Sequence, residues 1–303
     1  MNLATSGNNA GTIPRSFVSG VRPLGLERAC GQLCVVCCLA LLASSSLSGA
    51  GCSAKVETSA KKKVSYRTTA KQNYHKGMKA LGSKSYEDAA KYFKFVQTRF
   101  PFSQYATLAE LRQADVLRDS EKFISAIDAY KTFIKEHPTH PEVESGYVAF
   151  NIGVCYQKLM PSDFFIMPPS EEKDQTSTEA AMLAFQEFLK SFPDSKYRSQ
   201  AKKHYKEALG QLAAHELFVA RYYLGRKKPK GAIFRLEYLI KKYPDAGVQP
   251  EVMFLLGRTY LGLKEPKKAQ AVFQDLVRKH PEDFNAKKAR RYLAFISREY
   301  GLK

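Results

Sequence analysis

An alanine stands twelve residues ahead of a proline at five places in the chain, and this repeated spacing restricts the fold more than any other feature of the sequence. The pairs are Ala89/Pro101, Ala126/Pro138, Ala181/Pro193, Ala232/Pro244 and Ala269/Pro281. Four residues after these alanines come large apolar residues, namely Phe93, Tyr130, Phe185, Leu236 and Phe273. Positions four apart share a helix face, and proline ends a helix because it has no N–H to donate. The pattern predicts five helices that each pack a small and a bulky residue against a neighbouring helix.

Partner helices are also indicated upstream, in the first and fifth repeats. Gly77 and Gly257 each lie twelve residues before the alanine of their repeat. These offsets resemble the tetratricopeptide pattern, although successive prolines are 37, 55, 51 and 37 residues apart, so the third and fourth repeats are enlarged. Because such helix pairs must stack to bury their apolar faces, we expect an all-α fold, a tetratricopeptide-repeat superhelical solenoid over residues 69–300. It would be a right-handed superhelix of five helical hairpins, closed by a C-terminal capping helix from Phe284 to Tyr300.

Short polar residues follow the five prolines and are predicted to cap the helices that come next. They are Ser103, Thr139, Asp194, Ser195, Asp245 and Asp283. Side chains of this kind accept hydrogen bonds from the first N–H groups of a helix, which have no partner within it.

The first 51 residues have the pattern of an export signal. Arg15, Arg22 and Arg28 precede an uninterrupted apolar run of eleven residues that begins at Leu33. Eleven residues are too few to cross a bilayer as a helix, and small residues follow the run. We interpret residues 1–51 as a signal peptide of the lipoprotein type.

Cys52 lies directly after this segment, where the sequence resembles the lipobox of bacterial lipoproteins. We expect Cys52 to be lipidated and residues 52–68 to form a flexible tether. The alternative is ordinary cleavage after Ala50, which would leave a free thiol. Five of the six cysteines fall within the first 52 residues, so Cys155 is alone in the rest of the chain and no disulfide scaffold is expected.

The chain is basic, with 48 Lys and Arg against 29 Asp and Glu. The excess is concentrated in residues 201–303, which contain 23 basic and 10 acidic residues. Since an exported chain seldom meets nucleic acid, acidic partners or anionic lipid headgroups fit this charge better. A merely solvated face is the alternative.

Motifs that carry chemistry are missing from the sequence. The six histidines form no His-Glu-x-x-His pair, and Cys155 has no second cysteine at metal-binding spacing. Neither a nucleophile elbow nor a glycine-rich phosphate loop occurs. We expect a protein that is not an enzyme and that needs no metal or cofactor.

Four stretches resemble the BamD family of outer-membrane assembly lipoproteins, also described as the ComL or YfiO type. They begin at Tyr86, Asp174, Leu212 and Ala232, and follow one another in the family's order between about residues 70 and 281. The most specific is the run from His215 to Tyr223, His-Glu-Leu-x-Val-Ala-x-Tyr-Tyr, which a generic repeat does not require.

The resemblance implies a periplasmic scaffold lipoprotein on the inner face of the outer membrane. Such a protein would dock on the periplasmic domains of the barrel subunit BamA through its C-terminal repeats, beside other lipoproteins of the assembly machinery. Arg235, Glu216, Tyr222 and Tyr223 are the partner-binding residues that the resemblance indicates. For Arg235, the alternative is an internal ion pair with Glu237 or another nearby acid.

The resemblance also implies that the N-terminal repeats help to recruit unfolded outer-membrane proteins. Tyr74, Phe102 and Tyr105 are available to line a groove for an extended apolar peptide, and ordinary core packing is their alternative role. A second candidate surface is the segment from Pro161 to Pro169, which holds four consecutive apolar residues between prolines. It either folds back on the third repeat or contacts a partner.

A different class of function is compatible with the repeats alone. A periplasmic tetratricopeptide-repeat lipoprotein that organises cell-wall or division proteins would show the same periodicity. A repeat-bearing cell-wall hydrolase would need a catalytic constellation that the sequence lacks.

Overall fold

The computed structural model describes residues 64–302, and all regular structure in this range is helical. The helices are α1 (Ala70–Gly82), α2 (Tyr86–Arg99), α3 (Gln104–Asp119), α4 (Phe123–Glu136), α5 (Pro141–Glu144), α6 (Tyr147–Lys158), α7 (Thr176–Ser191), α8 (Arg198–Gly225), α9 (Pro229–Lys242), α10 (Gln249–Gly262), α11 (Pro266–Lys279) and α12 (Phe284–Tyr300). Within the described range, none of these helices combines the length and the apolar character needed to cross a bilayer. The predicted signal peptide and Cys52 lie outside it.

Helices that follow one another in the chain pack against one another. The five hairpins are α1–α2, α3–α4, α6–α7, α8–α9 and α10–α11, with α5 a single turn between the second and third. Helix α12 packs on α11 and α10 and covers the last hairpin. The prediction of a tetratricopeptide-repeat solenoid with a C-terminal capping helix is confirmed.

The repeated alanines and the bulky residues four positions later form the centre of each hairpin. All ten side chains are fully buried, from Ala89 and Phe93 in α2 to Ala269 and Phe273 in α11. The helices end at the residue before each proline, which is the C-cap in all five cases. The predicted register of the repeats is therefore confirmed.

A small residue on the first helix of each hairpin faces the bulky residue of the second. A Cβ atom built on Gly77 would lie 2.6 Å from Cε1 of Phe93, and one on Gly257 would lie 2.5 Å from Cε1 of Phe273. Gly153 faces Phe185 in the same way, at 2.7 Å. Glycine at these positions is required by close approach and not by backbone conformation.

The equivalent positions of the second and fourth hairpins carry alanine. Ala114 and Ala220 stand sixteen residues before Tyr130 and Leu236, as Gly77 and Gly257 do before their phenylalanines. Both alanines are buried, at 1% and 0% exposure. The sequence analysis identified the two glycines but missed this complete small-to-large pairing.

Only some of the predicted caps are formed. Ser103 and Asp283 accept hydrogen bonds from Tyr105 N and Asn285 N at the starts of α3 and α12. The prediction is wrong for Thr139 and Asp245, because α5 begins after His140 and α10 after Val248.

At the third proline, the chain adds an extra turn before α8, whose N-cap is Tyr197. The Ser195 hydroxyl accepts a hydrogen bond from Tyr197 N at 3.4 Å and donates one to the Ser145 carbonyl at 2.9 Å. Ser195 thus joins this turn to the end of α5 instead of capping a helix directly.

The last part of the predicted tether is fixed to the first hairpin. Asn73 is completely buried, and its amide group accepts a hydrogen bond from Arg67 N at 2.8 Å and donates to Arg67 O at 2.9 Å. The ring of Tyr66 stacks on Phe95, with centroids 4.1 Å apart. The chain therefore enters the solenoid along a defined path before α1 begins.

Candidate functional site

Arg235 lies on α9 between two buried residues, Ala232 and Leu236, at the edge of the helix's packed face. Its Nη1 atom donates to Glu216 of α8 at 3.1 Å from Oε2 and 3.4 Å from Oε1. The Glu216 side chain is 11% exposed, whereas that of Arg235 is 35% exposed. The Glu216 carboxylate is therefore largely buried, while the Arg235 guanidinium lies at the protein surface.

Glu216, and not the Glu237 considered from the sequence, is the acid that pairs with Arg235. The Glu237 carboxylate instead accepts a hydrogen bond from the Tyr260 hydroxyl of α10. Residues two apart on a helix do not face each other, which explains why Arg235 and Glu237 do not meet.

The guanidinium of Arg235 retains hydrogen-bonding capacity beyond this pair. An arginine offers five N–H donors. In the described part of the chain, Arg235 donates its hydrogen bonds through Nη1 alone. The outer donors can meet a carboxylate in the bidentate geometry that arginine favours.

The two tyrosines at the end of α8 differ in their surroundings. Tyr222 is 52% exposed, and the Arg226 guanidinium lies 5.3 Å from its ring centroid. The ring of Tyr223 lies against the backbone of α9, where a Cβ built on Gly231 would be 3.0 Å from its Cδ1 atom. Tyr222 therefore faces solvent, while Tyr223 holds α8 against α9.

A cavity of about 240 Å³ adjoins Glu216. Its walls are Lys173, Asp174, Gln175, Thr176, Glu179, Leu212, His215, Glu216 and Tyr243. Gln175 is buried and donates hydrogen bonds to the carbonyls of Ser170 at 2.7 Å and Lys173 at 2.9 Å. The Asp-Gln-Thr stretch that carried part of the family resemblance thus fixes the chain on one side of Glu216.

The apolar segment of the third repeat does not fold back on the helices. Phe164, Phe165, Ile166 and Met167 are 57%, 91%, 74% and 57% exposed. Of the two alternatives drawn from the sequence, the first is therefore wrong, since none of these four residues is buried. We call these four residues the apolar tip.

The chain on both sides of the apolar tip is held by hydrogen bonds. Gln211 of α8 donates to Pro161 O at 2.8 Å, and the His215 ring lies 2.6 Å from Glu171 O. Lys173 Nζ donates to Ser162 O at 2.6 Å. Across the base, Ser170 N donates to the Asp163 carboxylate at 2.7 Å, and this backbone hydrogen bond lowers the pKa of Asp163. The tip is thus mounted on a fixed base.

Of the three aromatic residues proposed for peptide binding, the structure brings Tyr74 and Tyr105 together, but the three differ in their exposure. Tyr74 is only 8% exposed, and its ring lies 5.8 Å from Phe93 and 5.5 Å from Tyr105. Phe102 lies in the turn between α2 and α3 and is fully exposed. Tyr74 is therefore a core residue, while Tyr105 is half-buried and Phe102 faces solvent.

A buried acid that the sequence analysis did not single out joins the second and third hairpins. Asp115 of α3 is 2% exposed and accepts hydrogen bonds from the hydroxyls of Tyr130 at 2.5 Å and Tyr147 at 2.8 Å. Arg112 Nη1 donates to it at 2.5 Å, and Arg118 Nη1 lies 3.6 Å away. Burial, together with the Asp115 charge, raises the pKa of Tyr147 to about 12. Because every charge in this cluster is paired, we assign it to stability.

The fold also brings Glu110 of α3 close to two adjacent residues at the end of α4, Glu136 and His137. Side-chain oxygens of Glu110 and Glu136 and a ring nitrogen of His137 all lie within 4.8 Å of one another. Glu110 and His137 interact directly, with Nε2 and Oε2 3.1 Å apart. His137 is the C-cap of α4, so the pair is also placed where a helix end favours positive charge.

Known proteins match most of the described range. A family model for YfiO, described as an outer membrane lipoprotein, matches residues 67–276. The chain is 28% identical over 189 residues to the outer membrane protein assembly factor BamD of Neisseria meningitidis serogroup A, covering 60% of this chain and 68% of that protein. BamD of Rickettsia prowazekii is 27% identical over 183 residues and that of Haemophilus influenzae 28% over 184, each covering 60% of this chain and 69% and 70% of the relative.

Proposed function

This chain belongs to the YfiO family of outer membrane lipoproteins, and on that basis we propose that it takes part in the assembly of outer membrane proteins. The relatives named above are assembly factors, in agreement with the sequence-based expectation of a protein that is not an enzyme. Its helical hairpins provide binding surfaces. The sequence contains no recognisable catalytic motif.

In more detail, we propose a scaffold that is anchored through lipid on Cys52 to the periplasmic face of the outer membrane. Its fourth hairpin would dock on the periplasmic domains of the barrel subunit BamA, near other lipoproteins of the machinery. Its first two hairpins would help to receive unfolded outer-membrane proteins, with Tyr105 and Phe102 as the accessible aromatics.

The arrangement of Arg235 carries the docking part of this proposal. A charge-paired arginine whose counterion is buried but whose guanidinium reaches the surface keeps a fixed orientation before a partner arrives. Less side-chain entropy is then lost on binding. A carboxylate of the partner could accept two parallel hydrogen bonds from such a group.

Arg235→Lys separates the docking role from the internal ion pair. Lysine can keep the pair with Glu216, but it lacks the planar fork that arginine presents to a second carboxylate. We expect the affinity for purified BamA periplasmic domains from the same organism to fall about tenfold or more, equivalent to about 1.4 kcal/mol per decade. The melting temperature should stay close to that of the parent.

Arg278→Lys is the matched control, because Arg278 lies on α11 with its side chain 77% exposed and paired with Asp275. It should bind like the parent. Unchanged binding by Arg235→Lys would contradict the proposed contact. No binding by the parent chain would contradict the proposed function itself, and capture of cell-wall or division proteins instead would favour the other class of repeat lipoprotein.

The anchor is tested separately. Cys52→Ala should convert a membrane-bound protein into one released with the soluble periplasmic fraction, because the acyl chains are the expected source of membrane affinity. Mass spectrometry of the mature N-terminus provides the direct check, and an unmodified N-terminus would contradict lipidation.

A further inference from the structure

We propose that the apolar tip, Phe164–Met167, forms a second contact of the docking surface around Arg235 and inserts into an apolar pocket with a basic rim on the partner's periplasmic domains. This inference rests on the proposed function, since it takes the same partner. It assigns a role to the enlargement of the third repeat, which the repeat architecture itself does not need.

Exposure is the first argument. Four consecutive large apolar side chains are more than half exposed, and Phe165 is 91% exposed. Single exposed apolar residues are common on protein surfaces, but a contiguous apolar patch marks a site that another surface covers. Aromatic anchors that enter a pocket are also the residues that dominate binding energy at protein interfaces.

Rigid mounting is the second argument. The Pro161 carbonyl is bound by Gln211 and the Glu171 carbonyl by His215, so both sides of the base are attached to α8. Within the tip, Met167 N donates to Phe164 O at 2.8 Å and closes a turn. A segment that is already ordered loses little entropy when it binds, which favours a preformed contact.

Charge identifies the occupant. Between residues 161 and 174 there are four acids, Asp163, Glu171, Glu172 and Asp174, and a single base, Lys173. This local negative charge stands out in a chain with 48 basic and 29 acidic residues. It would be repelled by an anionic lipid surface and attracted by lysines or arginines around a pocket, so the complementary partner is a protein.

Position joins the tip to the Arg235 surface. His215, which holds the base of the tip, is the neighbour in α8 of Glu216, which pairs with Arg235. His215 and Glu216 both line the 240 Å³ cavity, whose other walls include the segment that follows the tip, Lys173 to Thr176. One partner surface can therefore cover both features.

The test uses the purified full chain and BamA periplasmic domains from the same organism. Phe165→Ser and Ile166→Ser should each weaken binding about tenfold or more, as expected for anchors buried on binding. Neither should lower the melting temperature, because both side chains face solvent in the free protein. Ile124→Ser, at an isolated residue on α4 that is 67% exposed, is the matched control and should bind like the parent.

A separate experiment tests the role of the negative charge around the tip. Glu171→Lys combined with Glu172→Lys should slow association at low salt, and added salt should reduce the difference from the parent. Glu282→Lys combined with Glu299→Lys, at two exposed residues near the C-terminal end, makes the same change in net charge and is the control.

The outcomes separate the tip from the rest of the proposal. If Arg235→Lys weakens binding while Phe165→Ser and Ile166→Ser do not, the inference about the tip is overturned and the proposed function stands. If the parent does not bind the domains, both are overturned. Loss of binding to vesicles of phosphatidylethanolamine and phosphatidylglycerol in Phe165→Ser, with binding to the domains retained, would also overturn it, because the tip would then be a membrane contact.

Discussion

Gly257→Ala adds one methyl group at the closest approach between the two helices of the last hairpin. The new Cβ atom would lie 2.5 Å from Cε1 and 2.6 Å from Cζ of Phe273. Carbon atoms in favourable contact are about 3.5–4.0 Å apart, so the ring would have to move by about 1 Å. Phe273 has no exposed surface and is packed against Phe254 and Tyr292, with ring centroids 5.9 Å and 5.4 Å away.

Two effects of opposite sign determine the size of the change. Overpacking of an enclosed core site costs about 1–3 kcal/mol, and we expect the upper half of that range because the ring is surrounded. Alanine is a better helix former than glycine by about 1 kcal/mol, which offsets part of the cost. The net loss of unfolding free energy should be about 1–2 kcal/mol, or a fall in melting temperature of about 2–8 °C for a domain of this size.

Gly210→Ala is the matched control. Gly210 lies in the middle of α8, and a Cβ built there meets nothing within 4 Å. The same gain in helix propensity applies, so Gly210→Ala should raise the melting temperature. Urea unfolding followed by circular dichroism then gives the difference between the two variants, which isolates the contact with Phe273.

Combining Gly257→Ala with Phe273→Leu gives a further check. The smaller side chain makes room for the methyl group, so the double variant should be more stable than the sum of the single changes predicts. If Gly257→Ala is as stable as Gly210→Ala, the close approach does not exist and the reasoning about small-to-large pairs is refuted.

Three further changes test other parts of the fold. The Tyr147→Phe variant should be less stable than the parent at about pH 9, and this difference in unfolding free energy should narrow as the pH rises to about 11.5. The pKa of Tyr147 is raised to about 12 in the folded chain, against about 10 in the unfolded chain. The stabilisation by the neutral hydroxyl is therefore complete below pH 10 and is lost as the pH rises through 12. A constant difference in urea titrations would contradict this. Cys155 is fully buried, and burial raises the pKa of its thiol to about 11. Labelling of this thiol at pH 8, followed by peptide mapping, should therefore be at least about a hundredfold slower in the folded protein than in urea. Comparable rates would mean that the core is open to the reagent. Asn73→Ala should lower the free energy of unfolding by about 1–3 kcal/mol and speed tryptic cleavage after Arg67. The reason is that it removes the hydrogen bonds to both the N–H and the carbonyl of Arg67. Unchanged cleavage would show that other contacts hold this segment.

The solenoid could be predicted because its information is local. Each hairpin is specified by residues that recur at fixed offsets, so Ala232 and Leu236 could be assigned to a packed face from their spacing and the proline that follows. Helix ends were predictable for the same reason. The caps at Thr139 and Asp245 were not, because turns of different length decide which residue precedes the next helix.

The candidate site was predictable only in part, since its contacts join different helices. The family resemblance indicated Arg235 and Glu216 separately, but nothing in the sequence indicated that they pair across nineteen residues. Asp115 could have been singled out from the sequence. It directly follows Ala114, on a helix face that must be buried, and a buried acid needs hydrogen-bond or ion-pair partners. The identity of those partners depends on α4 and α6 and is visible only in the structure.

The pairing of a small residue with a bulky one across each hairpin has a consequence for how such a chain can change during evolution. In four hairpins the two residues are sixteen positions apart, but in the third Gly153 and Phe185 are thirty-two apart and still meet at the same distance. The small-to-large contact therefore depends on which two helix faces touch, and not on the length of chain that connects the helices. An insertion between the two helices can vary in length and composition without cost to the core, and new binding specificities can accumulate there while the solenoid is inherited unchanged.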